Sequence, residues 1–254
     1  MNIYQPGILR FDSLASTNLE AAKRAVAGAS EGLCIVASEQ TAGRGRLQRQ
    51  WISPQGAGLY FSILLRPRID QSAWPLITLM ASLAVHDALL EACGLRTDIK
   101  WPNDILANNR KLCGILAETT EKTEMSKRAV ILGIGINLTS AALPPELHET
   151  AASVESATGK EPDLEVVLQA LIRALERHYM TLQSARGEEE TIRAWSERSS
   201  YAQGKRIVVS NGDVILEGTT RGLESDGALR LETSAGEIKI VRAGDVTAVR
   251  TRAV

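Results

Sequence analysis

Hydrophobic positions in the first 200 residues follow two periods, one typical of helices and one typical of strands. Helical spacing predicts helices over Thr17–Ala27, over Pro75–Cys93 as an amphipathic helix, and from Leu164 onward after Pro162-Asp163. Short apolar runs between them predict buried strands. These runs are Leu33–Ser38, Gly58–Leu65, Ile115–Thr119 and Val130–Leu138. The mixture indicates an α/β (α+β) fold with a mixed β-sheet and helices.

Two helix ends carry recognisable signals. Thr17-Asn18-Leu19-Glu20 matches a capping box, which places Ser16 to Asn18 at a helix N-terminus. Gly94 follows the second helix where a C-cap glycine is expected.

The pattern changes after about Gln203. Five short apolar alternations follow at intervals of about ten residues, separated by turns such as Asn211-Gly212 and Asp226-Gly227. This spacing predicts a small closed β-barrel. The chain is therefore expected to divide into a larger mixed α/β domain at 1–200 and a barrel at 203–254.

Composition narrows the class of protein. The chain has 254 residues, 44% of them hydrophobic, and a net charge of -1, which argues against wholesale disorder and against a nucleic-acid coat protein. Cys34, Cys93 and Cys113 share no C-x-x-C spacing, so free thiols in a reducing cytoplasm are expected. The N-terminus lacks the features of a signal peptide, and we predict no membrane span and no metal-ligand cluster.

The segment from Gln40 to Ile69 contains five arginines and no acidic residue, and three of these arginines lie in the Gly43–Arg49 loop. Glycines allow backbone N–H groups to approach a ligand, and guanidinium groups bind oxyanions through two hydrogen bonds. The loop is therefore a candidate site for a phosphate or carboxylate. A solvated turn with arginines for solubility is the alternative.

A second cluster is Lys100-Trp101-Pro102-Asn103-Asp104, followed by Lys111. Pro102 keeps Trp101 out of the helical region, so the turn directs Asn103 and Asp104, although an Asx turn would also explain both residues. Asn108-Asn109 predicts a hairpin tip that returns Lys111 beside the first strand. Since Lys111 enters an apolar strand and a loop rich in arginine precedes it, an anion partner is expected near it. A lysine at the surface of the protein is the alternative.

Gly133-Ile134-Gly135-Ile136-Asn137 lies within the last apolar run. Leu138 occupies the third glycine position of a dinucleotide fingerprint and no helix follows, which excludes a Rossmann site. Two glycines in a buried strand instead predict close approach of a ligand or another segment.

These segments, in this order, resemble the biotin protein ligases. The matching segments are Ser16-Thr17-Asn18, Gln40–Arg46 with Trp51, Lys100–Asp104, Lys111 with Gly114-Ile115, and Gly133–Asn137. The resemblance implies a class II synthetase-like catalytic domain with a C-terminal SH3-like barrel. Because Ser16 begins the first motif, it also implies the monofunctional type without an N-terminal DNA-binding domain. One departure is Gln48, which stands where the family's loop has a glycine.

The resemblance implies that biotin reacts with ATP and Mg²⁺ to give biotinyl-5′-AMP. The biotinyl group is then transferred to a lysine of a biotin carboxyl carrier protein domain, which belongs to acetyl-CoA carboxylase or a related carboxylase. The catalytic residues would be Lys111, Arg46 and Asp104, with Asp104 either handling the acceptor amine or bracing the turn. Substrate contacts would come from Ser16, Thr17, Asn18, Gln40, Arg44, Gly45, Arg46, Trp51, Lys111, Gly114, Ile115, Gly133, Gly135 and Asn137.

Within this set, Ser16 to Asn18 and Gln40 would face the biotin ureido head, and Asn137 the adenylate. No metal ligand is assigned, since Mg²⁺ would arrive on the phosphates. A lipoate ligase, a nucleic-acid-binding module and an inactive biotin sensor are the alternatives, and a homodimer is left open.

Overall fold

A computed structural model describes residues 7–120, 128–212 and 214–249. Parts of both predicted domain ranges, namely 1–6, 121–127, 213 and 250–254, lie outside the described residues. The described chain folds into a seven-stranded sheet with five helices, followed by a five-stranded antiparallel sheet. The predicted mixed α/β class is confirmed, as is the separate C-terminal sheet.

The large sheet has the strand order β1-β2-β3-β7-β6-β5-β4, in which β1 and β2 are parallel and every other neighbouring pair is antiparallel. Its strands are β1 (Ile8–Leu14), β2 (Cys34–Gln40), β3 (Gly58–Leu65), β4 (Asp98–Lys100), β5 (Asp104–Ala107), β6 (Arg110–Thr119) and β7 (Val130–Asn137). The helices are α1 (Thr17–Val26), α2 (Leu76–Cys93), α3 (Val154–Thr158), α4 (Leu164–Leu182) and α5 (Gly187–Arg198).

The small sheet has the order β11-β10-β9-β8-β12. Its strands are β8 (Gln203–Asn211), β9 (Val214–Leu223), β10 (Leu229–Glu232), β11 (Ile238–Val241) and β12 (Asp245–Ala248). The five predicted strands are present. Since β11 and β12 lie at opposite edges of this order, the hydrogen-bonded ladder is open between them.

Helix α2 corrects one expectation. It was predicted to be amphipathic, yet every residue from Leu79 to Val85 is buried, which covers all sides of the helix, because α4, α5 and the sheet pack around it. Among the described helices it alone is long and apolar enough to cross a membrane, and 61% of it is buried inside the protein. It therefore has the pattern of a core helix. Gly94 ends it at φ 63, as predicted.

The start of α1 corrects a second expectation, the capping box at Thr17–Glu20. Ser16, not Thr17, is the N-cap residue, and no described side chain caps the helix. The Thr17 hydroxyl instead donates to Gln40 Oε1, while Glu20 accepts from Arg24 at 2.6 Å. Both ends of the expected capping box are thus used by tertiary or side-chain partners.

The two faces of the large sheet serve different purposes. One face packs against α2 and α4 in a core that continues into the small sheet through Leu229 and Val246. On the opposite face, α1 covers only one end, through Ala21, Ile35 and Ile131. The rest of that face stays open as a cavity.

The three cysteines are free thiols, as predicted. Cys34 and Cys113 are fully buried and Cys93 is partly buried. Burial raises the pKa of Cys34 to about 12, so this thiol stays protonated.

Candidate active site

Glycines in register on two adjacent strands form the floor of the cavity. Gly114 of β6 pairs with Gly135 of β7. A Cβ at Gly135 would lie 2.5 Å from Nε1 of Trp51, and one at Gly133 would lie 2.2 Å from Oδ1 of Asn18. The predicted close approach is therefore made here by the protein's own Trp51 and Asn18 side chains.

Polar side chains form one wall where α1 begins. Gln40 Oε1 accepts from the Thr17 backbone N–H at 2.9 Å and from its hydroxyl at 3.1 Å. The buried Ser62 hydroxyl lies 2.8 Å from Thr17 Oγ1 and 2.6 Å from Asn18 Oδ1. Ser16 lines the cavity beside them. This wall combines fixed donors and acceptors, as recognition of a polar ring system requires.

The arginine loop closes as a small hairpin over this wall. Arg44 bridges to Gln50, and the Gly45 N–H donates to the Arg49 carbonyl at 2.7 Å. At the tip, Leu47 has φ 51 and Gln48 has φ 60. Two consecutive residues with positive φ form a type I′ turn, which normally favours Asn and Gly. Gln48, at the position of the missing glycine, therefore occupies a left-handed conformation.

Lys111 meets the anion that its apolar strand required. Its Nζ lies 2.7 Å from Asp104 Oδ1, and Lys100 Nζ lies 3.6 Å from the other oxygen of the same carboxylate. The ammonium also lies 5.5 Å from the Trp51 ring centroid, within cation–π range. The expected anion is thus Asp104 of the neighbouring strand β5.

Arg46 reaches across to the turn before β5. Its Nη1 donates to Asn103 Oδ1 at 3.1 Å and to the Gly244 carbonyl at 3.4 Å. Burial lowers the pKa of Arg46, while Asp245 and Asp104 act in the opposite direction. An arginine remains charged even so, and its low exposure to water strengthens its attraction for a bound anion.

Two regions in which the sequence pointed to no particular site residue complete the cavity. The segment before α3 runs beside Lys111, whose N–H donates to the Thr150 carbonyl at 2.9 Å. Asn137 Nδ2 donates to the Ala152 carbonyl at 3.0 Å, so the donor group of its amide is used to hold this segment. The small sheet contributes Lys205 and Asp245, and Asp245 forms an ion pair with Arg49. Only the fold brings these segments here, because neither carries a recognisable motif.

The cavity has a volume of about 920 Å³, within the range of small-molecule sites. Every residue predicted for the site lines it: Ser16, Thr17, Asn18, Gln40, Arg44, Gly45, Arg46, Trp51, Asp104, Lys111, Gly114, Ile115, Gly133, Gly135 and Asn137. Among the described residues, no three His, Cys, Asp or Glu side chains form a metal-binding group. The cationic side chains of the cavity, Arg44, Arg46 and Lys111, favour a negatively charged ligand.

Comparison with known families covers both parts of the chain. Residues 10–137 match the biotin/lipoate A/B protein ligase family, and residues 204–247 match the biotin protein ligase C-terminal domain. The chain is 37% identical to a biotin–[acetyl-CoA-carboxylase] ligase of Paracoccus denitrificans, covering 91% of this chain and 96% of that one. It is 39% identical to the bifunctional ligase/repressor BirA of Bacillus subtilis, covering 93% of this chain and 72% of the relative.

Solved structures agree with these matches. The biotin protein ligase of Aquifex aeolicus in complex with biotin and ATP superposes with a TM-score of 0.82 at 28% identity, covering 96% of this chain and 99% of that one. The Leishmania major ligase in complex with biotinyl-5-AMP superposes with a TM-score of 0.64 at 26% identity, covering 94% and 99%. From its sequence matches, its fold and its glycine-floored cationic cavity, the chain belongs to the biotin protein ligase family.

Proposed function

We propose that this enzyme joins biotin to ATP in the cavity and transfers the biotinyl group to a lysine of a biotin carboxyl carrier protein domain. The observation that carries the proposal is the convergence of Lys111, Arg44 and Arg46 on one cavity beside a polar wall. The cations suit the reacting carboxylate and phosphates, and the wall suits the uncharged ureido ring of biotin.

In the first step, a carboxylate oxygen of biotin attacks the α-phosphorus of ATP. A bond from that oxygen to phosphorus forms, the bond to the β-phosphate oxygen breaks, and pyrophosphate leaves. Both reactants are anions, so their repulsion must be offset by fixed positive charge. Lys111, held by Asp104 at 2.7 Å, and Arg46, held by Asn103 at 3.1 Å, supply such charge without reorganising.

Magnesium enters this proposal as part of the MgATP substrate. Mg²⁺ keeps several waters and is commonly bound through substrate phosphates and one or two carboxylates. The donor set fits that mode, since Asp104 and Asp245 line the cavity without forming a cluster of three acids among the described residues.

In the second step, a neutral lysine amine of the carrier domain attacks the acyl carbon of biotinyl-5′-AMP. An amide forms, AMP leaves, and the amine gives up a proton. Free lysine has a pKa of about 10.4, so the site must favour the neutral form. Asp104 is the candidate to orient or deprotonate the amine, and its pairing with Lys111 and Lys100 is equally compatible with a structural role.

The wider setting belongs to the same proposal. The acceptor would be the carrier domain of acetyl-CoA carboxylase or a related carboxylase, and the reaction would take place in the cytoplasm. Residues 1–200 would carry the chemistry, while 203–254 would contribute Lys205 and Asp245 to the rim of the cavity.

Biotin-dependent exchange between ATP and pyrophosphate tests the adenylation step. With Mg²⁺, we expect exchange with biotin, none with lipoate, and loss of exchange in Lys111→Ala, because removing the ammonium leaves Asp104 and the substrate anions uncompensated. Exchange with lipoate alone would favour the lipoate ligase alternative. No exchange from folded protein would contradict the proposal, and salt-sensitive binding of single-stranded DNA would then favour the nucleic-acid alternative.

Asp104→Asn separates the roles of that residue. We expect exchange to continue, while transfer to a carrier domain slows at least tenfold if the carboxylate handles the amine. Unchanged transfer would leave Asp104 as a structural residue of the turn.

A further inference from the structure

Glu118 lies on the same face of β6 as Gly114 and lines a second pocket, formed with residues 41–50 of the arginine loop, which shares Arg44 and Leu116 with the main cavity. A single oxygen of its carboxylate, Oε2, accepts from Asn18 Nδ2 at 2.7 Å and from Arg44 Nη2 at 2.8 Å. It is therefore the point at which the polar wall and the arginine loop meet. No motif in the sequence pointed to this residue.

The contact with Asn18 settles the direction of that amide. Asn18 is buried, and its Oδ1 lies 2.6 Å from the Ser62 hydroxyl. A carboxylate can only accept hydrogen bonds, so it requires the NH₂ end of Asn18 to face Glu118. With Gly133 beneath it, the Asn18 side chain is held from three sides.

The contact with Arg44 ties the loop to the sheet. Arg44 begins the hairpin and bridges to Gln50, so an ion pair at this position anchors one strand of the loop over the floor. The side chains of Glu118 and Arg44 are 34% and 41% exposed, and an ion pair this exposed contributes little to global stability. Its effect should appear in ligand binding.

We propose that Glu118 is a positioning residue for biotin. It does not touch the ligand, but it fixes the direction of the Asn18 amide, which lines the cavity, and holds Arg44 so that the loop closes over the occupied site. This inference rests on the proposed function.

The test is equilibrium binding of biotin by calorimetry, together with the exchange assay. In Glu118→Ala we expect the Kd for biotin to rise about tenfold, while kcat at saturating biotin and MgATP stays within about threefold, because the chemical groups remain in place. Glu118→Gln should stay within about threefold in Kd, since an amide oxygen can accept from both donors without the charge. Trypsin should cleave the Arg44–Arg49 segment faster in Glu118→Ala.

Glu232→Ala is the matched control. Glu232 is also 34% exposed and pairs with one arginine, Arg221, but Arg221 does not line the cavity, whereas both partners of Glu118 do. We expect its Kd for biotin within twofold of that of the wild type. Both alanine variants should unfold within about 3 °C of the wild type, given the small contribution of exposed pairs.

A double-mutant cycle distinguishes positioning from a general structural effect. If Glu118 acts through Asn18, the Kd of Asn18→Ala/Glu118→Ala should match that of Asn18→Ala alone. Fully additive losses, or a Glu118→Ala protein that binds biotin within twofold of the wild type, would overturn the inference. Should Glu118→Ala not fold, Glu118→Asp, whose shorter side chain cannot span both partners, replaces it with the same expected Kd. A wild-type protein that binds no biotin would overturn the proposed function itself.

Discussion

Replacing Gly135 with alanine should reduce biotin-dependent exchange about a hundredfold while the protein stays folded. The added Cβ would lie 2.5 Å from Trp51 Nε1 and 2.6 Å from its Cε2, against an ordinary contact of 3.4–4 Å. The indole must therefore move by about 1 Å. Because Trp51 lines the cavity, this displacement changes the shape of the site. A misplacement of about 1 Å in a substrate-positioning group can cost on the order of a hundredfold in rate.

The other glycines make this a graded experiment. At Gly114 the nearest Trp51 atom would lie 3.0 Å away, so Gly114→Ala should cost less than about tenfold in kcat/KM. At Gly133 the clash falls on the buried Asn18 at 2.2 Å, so Gly133→Ala should also lower the free energy of unfolding by about 1–3 kcal/mol, the cost of overpacking. Gly7, with no atom within 4 Å of the added Cβ, is the neutral control.

The assay is biotin-dependent ATP–pyrophosphate exchange, with urea unfolding run in parallel. Wild-type activity in Gly135→Ala, or a larger loss in Gly114→Ala than in Gly135→Ala, would refute the argument that the glycines exist to seat the indole. If Gly135→Ala lost activity only because it unfolds, the explanation would be refuted as well, since the clash at Gly135 falls on Trp51 in the cavity.

Three further predictions concern other parts of the molecule. Gln48→Gly should relieve about 1 kcal/mol of left-handed backbone strain and slow tryptic cleavage of the loop about fivefold. Asn109→Gly is the control, at the tip of the β5–β6 hairpin where Asn108 and Asn109 also have positive φ. It should change the free energy of unfolding little, because asparagine tolerates that conformation. The loop should also be cleaved more slowly when biotin and MgATP are bound, and equal rates with and without ligand would contradict this. Burial by itself would raise the pKa of Asp87, but hydrogen bonds from His178 and Arg177 outweigh it and lower the pKa to about 2. The carboxylate should therefore stabilise the fold by about 2 kcal/mol above pH 4 and lose that contribution as the pH falls toward 2. The difference in urea unfolding between wild type and Asp87→Asn should shrink over the same range, and a constant difference would argue against it.

Local pattern predicted most of the secondary structure. Gly58–Leu65 was bounded correctly as β3, and α2 and α4 were found from their apolar spacing, because long, strongly patterned segments carry their own signal. β1, α3 and α5 were among the elements missed, and α3 is only five residues long. β1 is an edge strand with mixed burial, and α5 is rich in charge, so neither shows a clear hydrophobic period.

The expected amphipathic character of α2 was wrong for a related reason. Sequence alone does not say how many neighbours will cover a helix. Here α4 and α5 pack against α2, so that even positions outside a single stripe become buried. The capping-box prediction was wrong for a similar reason, because the side chains of Thr17 and Glu20 are hydrogen-bonded to Gln40 and Arg24 instead.

The residue types of the site could be predicted from the sequence alone. The glycine pairs, the arginine loop, Lys111 and Asp104 each belong to a short motif whose residue types limit its chemistry. Which of these residues contact one another depends on the fold. Gly114 faces Gly135 through strand register, Lys111 meets Asp104 across two strands, and Glu118 joins Asn18 to Arg44. These contacts could not be predicted because each of them joins residues of separate elements. Hydrophobic periodicity specifies which face of an element is buried, but only packing determines what that face meets.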